Sequence, residues 1–112
     1  CLERLHAGVV VAAWPLREAA EATVGRDPAA ADVVVPDARV SRAHVTVRVA
    51  HGTVWLEDAG SMNGTYGASR QRLVSGEVTA HPVGEPFHLA HAGLAFRVAA
   101  VPTTEARSPA RG

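Results

Sequence analysis

An all-β fold, a sandwich or barrel of short strands, is predicted by three features of this 112-residue chain. Its apolar residues alternate with polar ones over short runs. Turn-forming residues interrupt those runs at regular spacing. The core it can build is poor in aromatics, which make up 4% of residues against 47% hydrophobic, so Val, Leu and Ala must fill it. A chain of this length suits one domain and can bury enough surface to fold without disulfide staples.

The runs can be taken in order. Val9 to Ala13 is a continuous apolar stretch and reads as a buried strand. Arg17 to Ala22 contains strong helix formers, but six residues between Pro15 and Gly25 are too few for a stable helix. That segment reads as a loop feeding a short strand at Ala22 to Val24. Val45, Val47 and Val49 alternate with Thr46 and Arg48, Ala50-His51-Gly52 interrupts, and Val54 and Leu56 resume the period of two. This is a β-hairpin. Phe87 and Leu89, then Leu94, Phe96 and Val98, form a second hairpin across Ala92-Gly93. Between them, Arg70 to Glu85 is irregular. Residues 1–101 read as the domain, and 102–112, PTTEARSPARG, as a disordered tail or linker.

Charge and composition exclude several functions. Eleven basic and eleven acidic residues give no net charge, which argues against non-specific nucleic-acid binding. All the basic residues are Arg, so no Schiff-base or P-loop lysine exists. The Arg-only usage fits a G+C-rich, bacterial source. Cys1 alone cannot form an internal disulfide, and neither a signal peptide nor an apolar run of ~18 residues is visible. A cytoplasmic location without a membrane span is the expectation. The chain opens on Cys1 rather than Met, as a fragment of a longer protein would. Six histidines with one cysteine do not make a metal site, and His88 and His91, three apart on an apparent strand, should face opposite sides. No cofactor or metal is expected. Trp14, Trp55 and Tyr66 read as partly buried core residues.

Three polar, turn-forming stretches gather at strand ends, each with arginine in or near it. They are Gly25-Arg26, Arg39-Val40-Ser41-Arg42-Ala43-His44, and Asp58-Ala59-Gly60-Ser61-Met62-Asn63-Gly64-Thr65. Loops at one end of a sandwich form a binding surface on a rigid scaffold. Arginine forks grip oxyanions through paired bonds, serine hydroxyls add short donors, and an asparagine amide both donates and accepts, as peptide-backbone recognition requires. The set suits a dianionic phosphate carried on a peptide. A rival enzyme reading would take Ser41 as nucleophile, His44 as base and Asp58 as orienter, but no G-x-S-x-G elbow supports it.

Together the three stretches resemble the signature of the forkhead-associated (FHA) domain, from about Val9 to Val101. The resemblance implies a β-sandwich of two mostly antiparallel sheets with about eleven strands. It implies a non-enzymatic module in serine/threonine kinase signalling, with a phosphothreonine-containing kinase substrate as partner. By position, Arg26 would grip the phosphate, Ser41 would donate its hydroxyl and Arg42 would add a second cation. Asn63 would bond the peptide backbone, and Arg39 would favour an acidic residue three places after the phosphothreonine. Gly25, His44, Gly60, Gly64 and Thr65 would be structural. Two departures stand out. Met62 replaces a residue that is often polar, leaving Ser61 as a substitute contact, and Tyr66-Gly67-Ala68-Ser69 replaces the usual Val-Asn-Gly. They motivate an alternative: a phospho-independent structural or oligomerisation module on the same fold.

Overall fold

The computed structural model describes residues 1–99, so the stretch read as a tail, 102–112, lies outside the described residues. Among the described residues, ten strands form two five-stranded sheets. They are β1 (Leu2–His6), β2 (Val9–Trp14), β3 (Glu21–Gly25), β4 (Val33–Val34), β5 (Val45–Ala50), β6 (Thr53–Asp58), β7 (Thr65–Tyr66), β8 (Val78–His81), β9 (Phe87–Leu89) and β10 (Ala95–Val98). One sheet runs β2-β1-β10-β9-β7 and the other β4-β3-β5-β6-β8. All pairings are antiparallel except β3 with β4. The all-β sandwich expected from the sequence is present.

The core lies between the sheets. Val45, Val47 and Val49 of β5 and Val54 and Leu56 of β6 are fully buried, as their alternation requires. Across from them, Phe87 and Phe96 stack with ring centroids 6.0 Å apart. The β5–β6 hairpin turns at His51 and Gly52, both at positive φ (53° and 73°), the backbone that matches strand twist. The Arg17–Ala22 segment is not helical. Arg17 to Ala20 run as a loop, with the Ala19 amide bonded to the Val49 carbonyl, and Glu21 and Ala22 already begin β3.

Two expectations are corrected. Val9 to Ala13 is a strand, but not a buried one: Val9, Val10 and Val11 are 62%, 41% and 54% exposed. β2 is an edge strand, and the register slips between Arg4 and Leu5 of its neighbour β1. Such a bulge increases local twist and turns a strand end away from the facing sheet. The residue left without a partner is Val11 of β2; β1 keeps an unbroken register with β10, and its two buried residues, Leu2 and Leu5, stand three apart, so no period of two marks that strand. His91, for its part, does not lie on a strand. It follows β9, in the turn to β10, and lines the same hollow as His88 rather than the opposite face.

The irregular Arg70–Glu85 stretch begins at the end of a 3-10 turn, Ala68–Arg70, bridges back from Arg72 to Tyr66, and contains β8. No helix among the described residues is long and apolar enough to cross a membrane.

Candidate functional site

The connections 26–32, 35–44 and 59–64 meet at one end of the sandwich, and specific bonds tie them together. The end of β3 runs beside Ser41–His44: the His44 amide donates to the Val24 carbonyl, and the Arg26 amide to the Ser41 carbonyl at 3.0 Å. This approach demands glycine at 25. A Cβ there would sit 2.0 Å from the Arg42 carbonyl oxygen.

Arg26 is exposed, and its Nε donates to the Val40 carbonyl at 2.9 Å. That bond aims the guanidinium while leaving both terminal nitrogens without a hydrogen-bond partner among the described residues. Arg42 is exposed, and its guanidinium likewise has no partner among them. Between these residues in the sequence, Ser41 accepts the Met62 amide on its Oγ at 3.1 Å, so its own hydroxyl proton remains available to a ligand. Asn63 donates Nδ2 to the Arg39 carbonyl at 2.8 Å, joining two loops, and its side chain is exposed.

His44 lies beneath, fully buried. Its Nδ1 accepts the Ser41 amide at 3.1 Å, which places the ring proton on Nε2, 2.7 Å from the Gly64 carbonyl that accepts it. Burial pushes its pKa down, against the opposing effects of the Gly64 carbonyl and Asp58. The neutral ring thus holds both loops. Both ring nitrogens engage backbone groups, and Asp58 bonds elsewhere, so the Ser41–His44–Asp58 relay of the enzyme reading is not formed.

Asp58, which the sequence offered only as the head of its stretch and as the orienter of an enzyme relay, organises the loop instead. It is 1% exposed. Its Oδ1 accepts the hydroxyls of Ser61 at 2.5 Å and Thr65 at 2.6 Å. Its Oδ2 accepts the amides of Gly60 and Ser61 and the Ser75 hydroxyl. Burial alone would raise its pKa, but the hydroxyls of Ser61, Ser75 and Thr65 and the Ser61 amide outweigh it and hold the carboxyl below its ordinary value. An aspartate at a strand end followed two residues later by glycine is the available signal, since it commonly bonds its own turn.

Ser61 therefore does not face outward. It is 7% exposed, donates to Asp58 and accepts the Gly64 amide at 3.0 Å, which makes it part of the loop's frame and not a substitute for the contact absent at Met62. Met62 itself is 84% exposed. Gly60 and Gly64 take positive φ (85° and 89°), and a Cβ on Gly64 would meet the Arg72 guanidinium at 2.7 Å. Arg72, against this loop, was not anticipated. Nor was the engagement of Arg39: its Nε and NH2 bind both oxygens of Asp37, at 3.1 and 3.0 Å. Those bonds hold the Asp37 carboxyl at about 2. No cluster of three potential metal ligands occurs among the described residues.

A rigid sandwich presenting tied loops with two outward arginines and an available hydroxyl defines a ligand-recognition module. The chain belongs to the FHA domain family, whose model matches residues 22–89. FHA domains are recognition modules known for binding phosphothreonine peptides, and they are generally non-enzymatic. The chain is similar to the FHA domain of the CT664 protein from Chlamydia trachomatis (TM-score 0.76, 24% identity, covering 90% of this chain and 96% of that one). It is similar to FHA-1 of Rv1747 from Mycobacterium tuberculosis (TM-score 0.63, 29% identity, 88% and 96%). A third similar structure comes from work on phosphothreonine-dependent FHA domain interactions (TM-score 0.69, 25% identity, 91% and 96%). No curated protein matches the sequence.

Proposed function

We propose that this domain binds phosphothreonine-containing segments of proteins phosphorylated by a serine/threonine kinase, as a cytoplasmic, non-catalytic signalling module. The carrying observation is the Arg26–Ser41–Arg42 set: two guanidinium groups whose terminal nitrogens have no partner among the described residues, with a hydroxyl whose oxygen is already occupied and whose proton is not. Asn63, tied to the Arg39 carbonyl, would meet the peptide backbone. Among similar structures, one is an FHA domain in complex with a pThr318 peptide of HOP1, which supports the class of ligand.

Charge-assisted bonds contribute ~1.5–3 kcal/mol each. A few of them, less the cost of association, give affinity near ~1 μM. Calorimetric titration with pools carrying phosphothreonine, phosphoserine, phosphotyrosine or no phosphate should show binding of the phosphothreonine pool alone. Arg26→Ala removes two terminal nitrogens and should weaken it ~100-fold or more. Undiminished binding by that variant overturns the site assignment.

The alternative, a phospho-independent scaffold, draws on one observation. The outer face of the β3-β5-β6-β8 sheet holds Trp55, Arg48, Glu21, Glu57 and the 58% exposed Val78 around a hollow of about 400 Å³. Partner capture or self-association insensitive to both phosphatase and Arg26→Ala would favour it.

A further inference from the structure

A second basic hollow adjoins the loop that carries Asn63. Tyr66, Arg70, His88, Ala90, His91 and Ala92 line a space of about 240 Å³. Two bonds join it to the binding loops: the Tyr66 hydroxyl donates to the Asn63 carbonyl at 3.1 Å, and the Ala90 amide to the Gly64 carbonyl at 2.9 Å. A peptide backbone held at Asn63 is therefore one side chain away from this space.

The positive charge of the hollow comes from Arg70. The Arg70 guanidinium has no hydrogen-bond or ion-pair partner among the described residues, unlike that of Arg39, which Asp37 occupies. Its side chain is set at the rim by uncommon backbone: Ser69 and Arg70 both lie in the left-handed region, with φ of 61° and 58°. Non-glycine residues rarely adopt it, and such residues cluster at ligand clamps. Backbone bonds from Arg70 to Gly67 and from Gly67 to Gln71 hold the turn. His88 is half-buried beside Arg70, and its pKa is lowered first by burial and then by the positive field of Arg70 and His81. At the far end, the His91 Nε2 atom is buried and has no hydrogen-bond partner among the described residues. Its Nδ1 accepts the Gly93 amide, so Nε2 carries the proton. Asp37, the carboxylate at that end, is 3.9 Å from His91 Nε2 and already engaged by both nitrogens of Arg39. The walls at Ala90 and Ala92 are methyl groups that suit a short aliphatic stem.

We infer that the Arg70–His88 hollow is a second anion subsite, which takes a further anionic side chain of the same peptide whose phosphate lies at Arg26 and Arg42. The inference rests on the proposed function for the first phosphate. It assigns the reading of acidity in the ligand to Arg70, an arginine not singled out in the sequence, in place of Arg39.

Two measurements test it. Inorganic phosphate is titrated into the wild-type chain and into Arg26→Ala, following the Arg70 Nε–Hε and His88 ring resonances by NMR. Both signals should move in both proteins; still signals overturn the subsite. In the second, a phosphothreonine peptide is compared with versions carrying glutamate or phosphoserine at each neighbouring position. One position should tighten binding about five- to tenfold, a gain that Arg70→Gln abolishes and Arg70→Lys partly keeps, with binding of the phosphothreonine peptide that lacks the added anion unchanged. A gain with glutamate identifies an acidic side chain, and one confined to phosphoserine a second phosphate. No gain at any position, or a gain that survives Arg70→Gln, overturns the inference. If phosphate moves Arg70 and His88 while no phosphothreonine peptide binds, the subsite stands and the proposed function falls. Arg26-dependent peptide binding with unmoved Arg70 signals gives the reverse.

Discussion

Replacing Asp58 by asparagine tests the frame of the binding loops. The carboxylate accepts five bonds, two on Oδ1 and three on Oδ2. An amide of the same shape accepts on one end only. Its less harmful orientation turns the NH2 toward the Ser61 and Thr65 hydroxyls and keeps the carbonyl facing the two backbone amides and Ser75. Two buried hydroxyls then lose a charged acceptor, at ~1.5–3 kcal/mol each. Hydroxyl rotation recovers part of that, leaving a loss of ~3 kcal/mol. A domain of this size shifts its Tm by about 4–8 °C per kcal/mol, so Asp58→Asn should melt ~12–24 °C lower. The pH profile gives an independent reading. The Asp58 pKa is depressed in the folded state, so its contribution is complete above the unfolded value of 3.8 and is lost as pH falls through the folded value. The variant should lack that acid-dependent component. Calorimetry or circular dichroism across pH 2–6 measures both, and a variant melting within about 4 °C of the parent refutes the reasoning.

Three further outcomes are expected. His44 also has a depressed folded pKa, so its contribution is full above 6.5 and is lost as pH falls below it; Tm measured from pH 8 to 5 should decline, and His44→Gln should flatten the decline. Gly25→Ala should destabilise by ~2 kcal/mol or more and weaken phosphopeptide binding, because its Cβ would overlap the Arg42 carbonyl 2.0 Å away; urea titration checks this. Asp37→Asn releases the Arg39 fork, and a peptide-array comparison should then show a preference for acidic residues at positions where the parent shows none.

The parts of this structure that were legible in the sequence are those governed by local rules. Val45, Val47, Val49, Val54 and Leu56 alternate because their strands are buried on one face and paired on both edges, and the hairpin turn carries a glycine. β1 was illegible because its two buried residues, Leu2 and Leu5, stand three apart and give no period of two. β2 misled because an unbroken valine run looks the same whether the strand is central or at an edge. At the site, Arg26, Ser41, Arg42 and Asn63 fall in one neighbourhood, as their loop positions implied. Ser61 is turned inward by Asp58, and Arg39 is occupied by a carboxylate two residues away. Both reversals depend on which partner a side chain meets in three dimensions. Arg70 and Arg72 lie in the irregular stretch where no periodicity located them.

The bonds that join the loops also bear on how fast a ligand would come and go. Arg26 to Val40, Met62 to Ser41 and Asn63 to Arg39 are bonds the domain makes to itself. Little segment ordering would then accompany docking, and association would proceed in a single phase. Its rate would be set by diffusion and orientation, about 10⁵–10⁷ M⁻¹s⁻¹ and higher where arginines steer an anion. At an affinity near ~1 μM the complex would last on the order of 0.1 to 10 s. Partners would be distinguished by how slowly they leave rather than by how quickly they arrive. A module with that residence time samples the phosphorylation state of its surroundings repeatedly, and holds no mark long enough to shield it from a phosphatase.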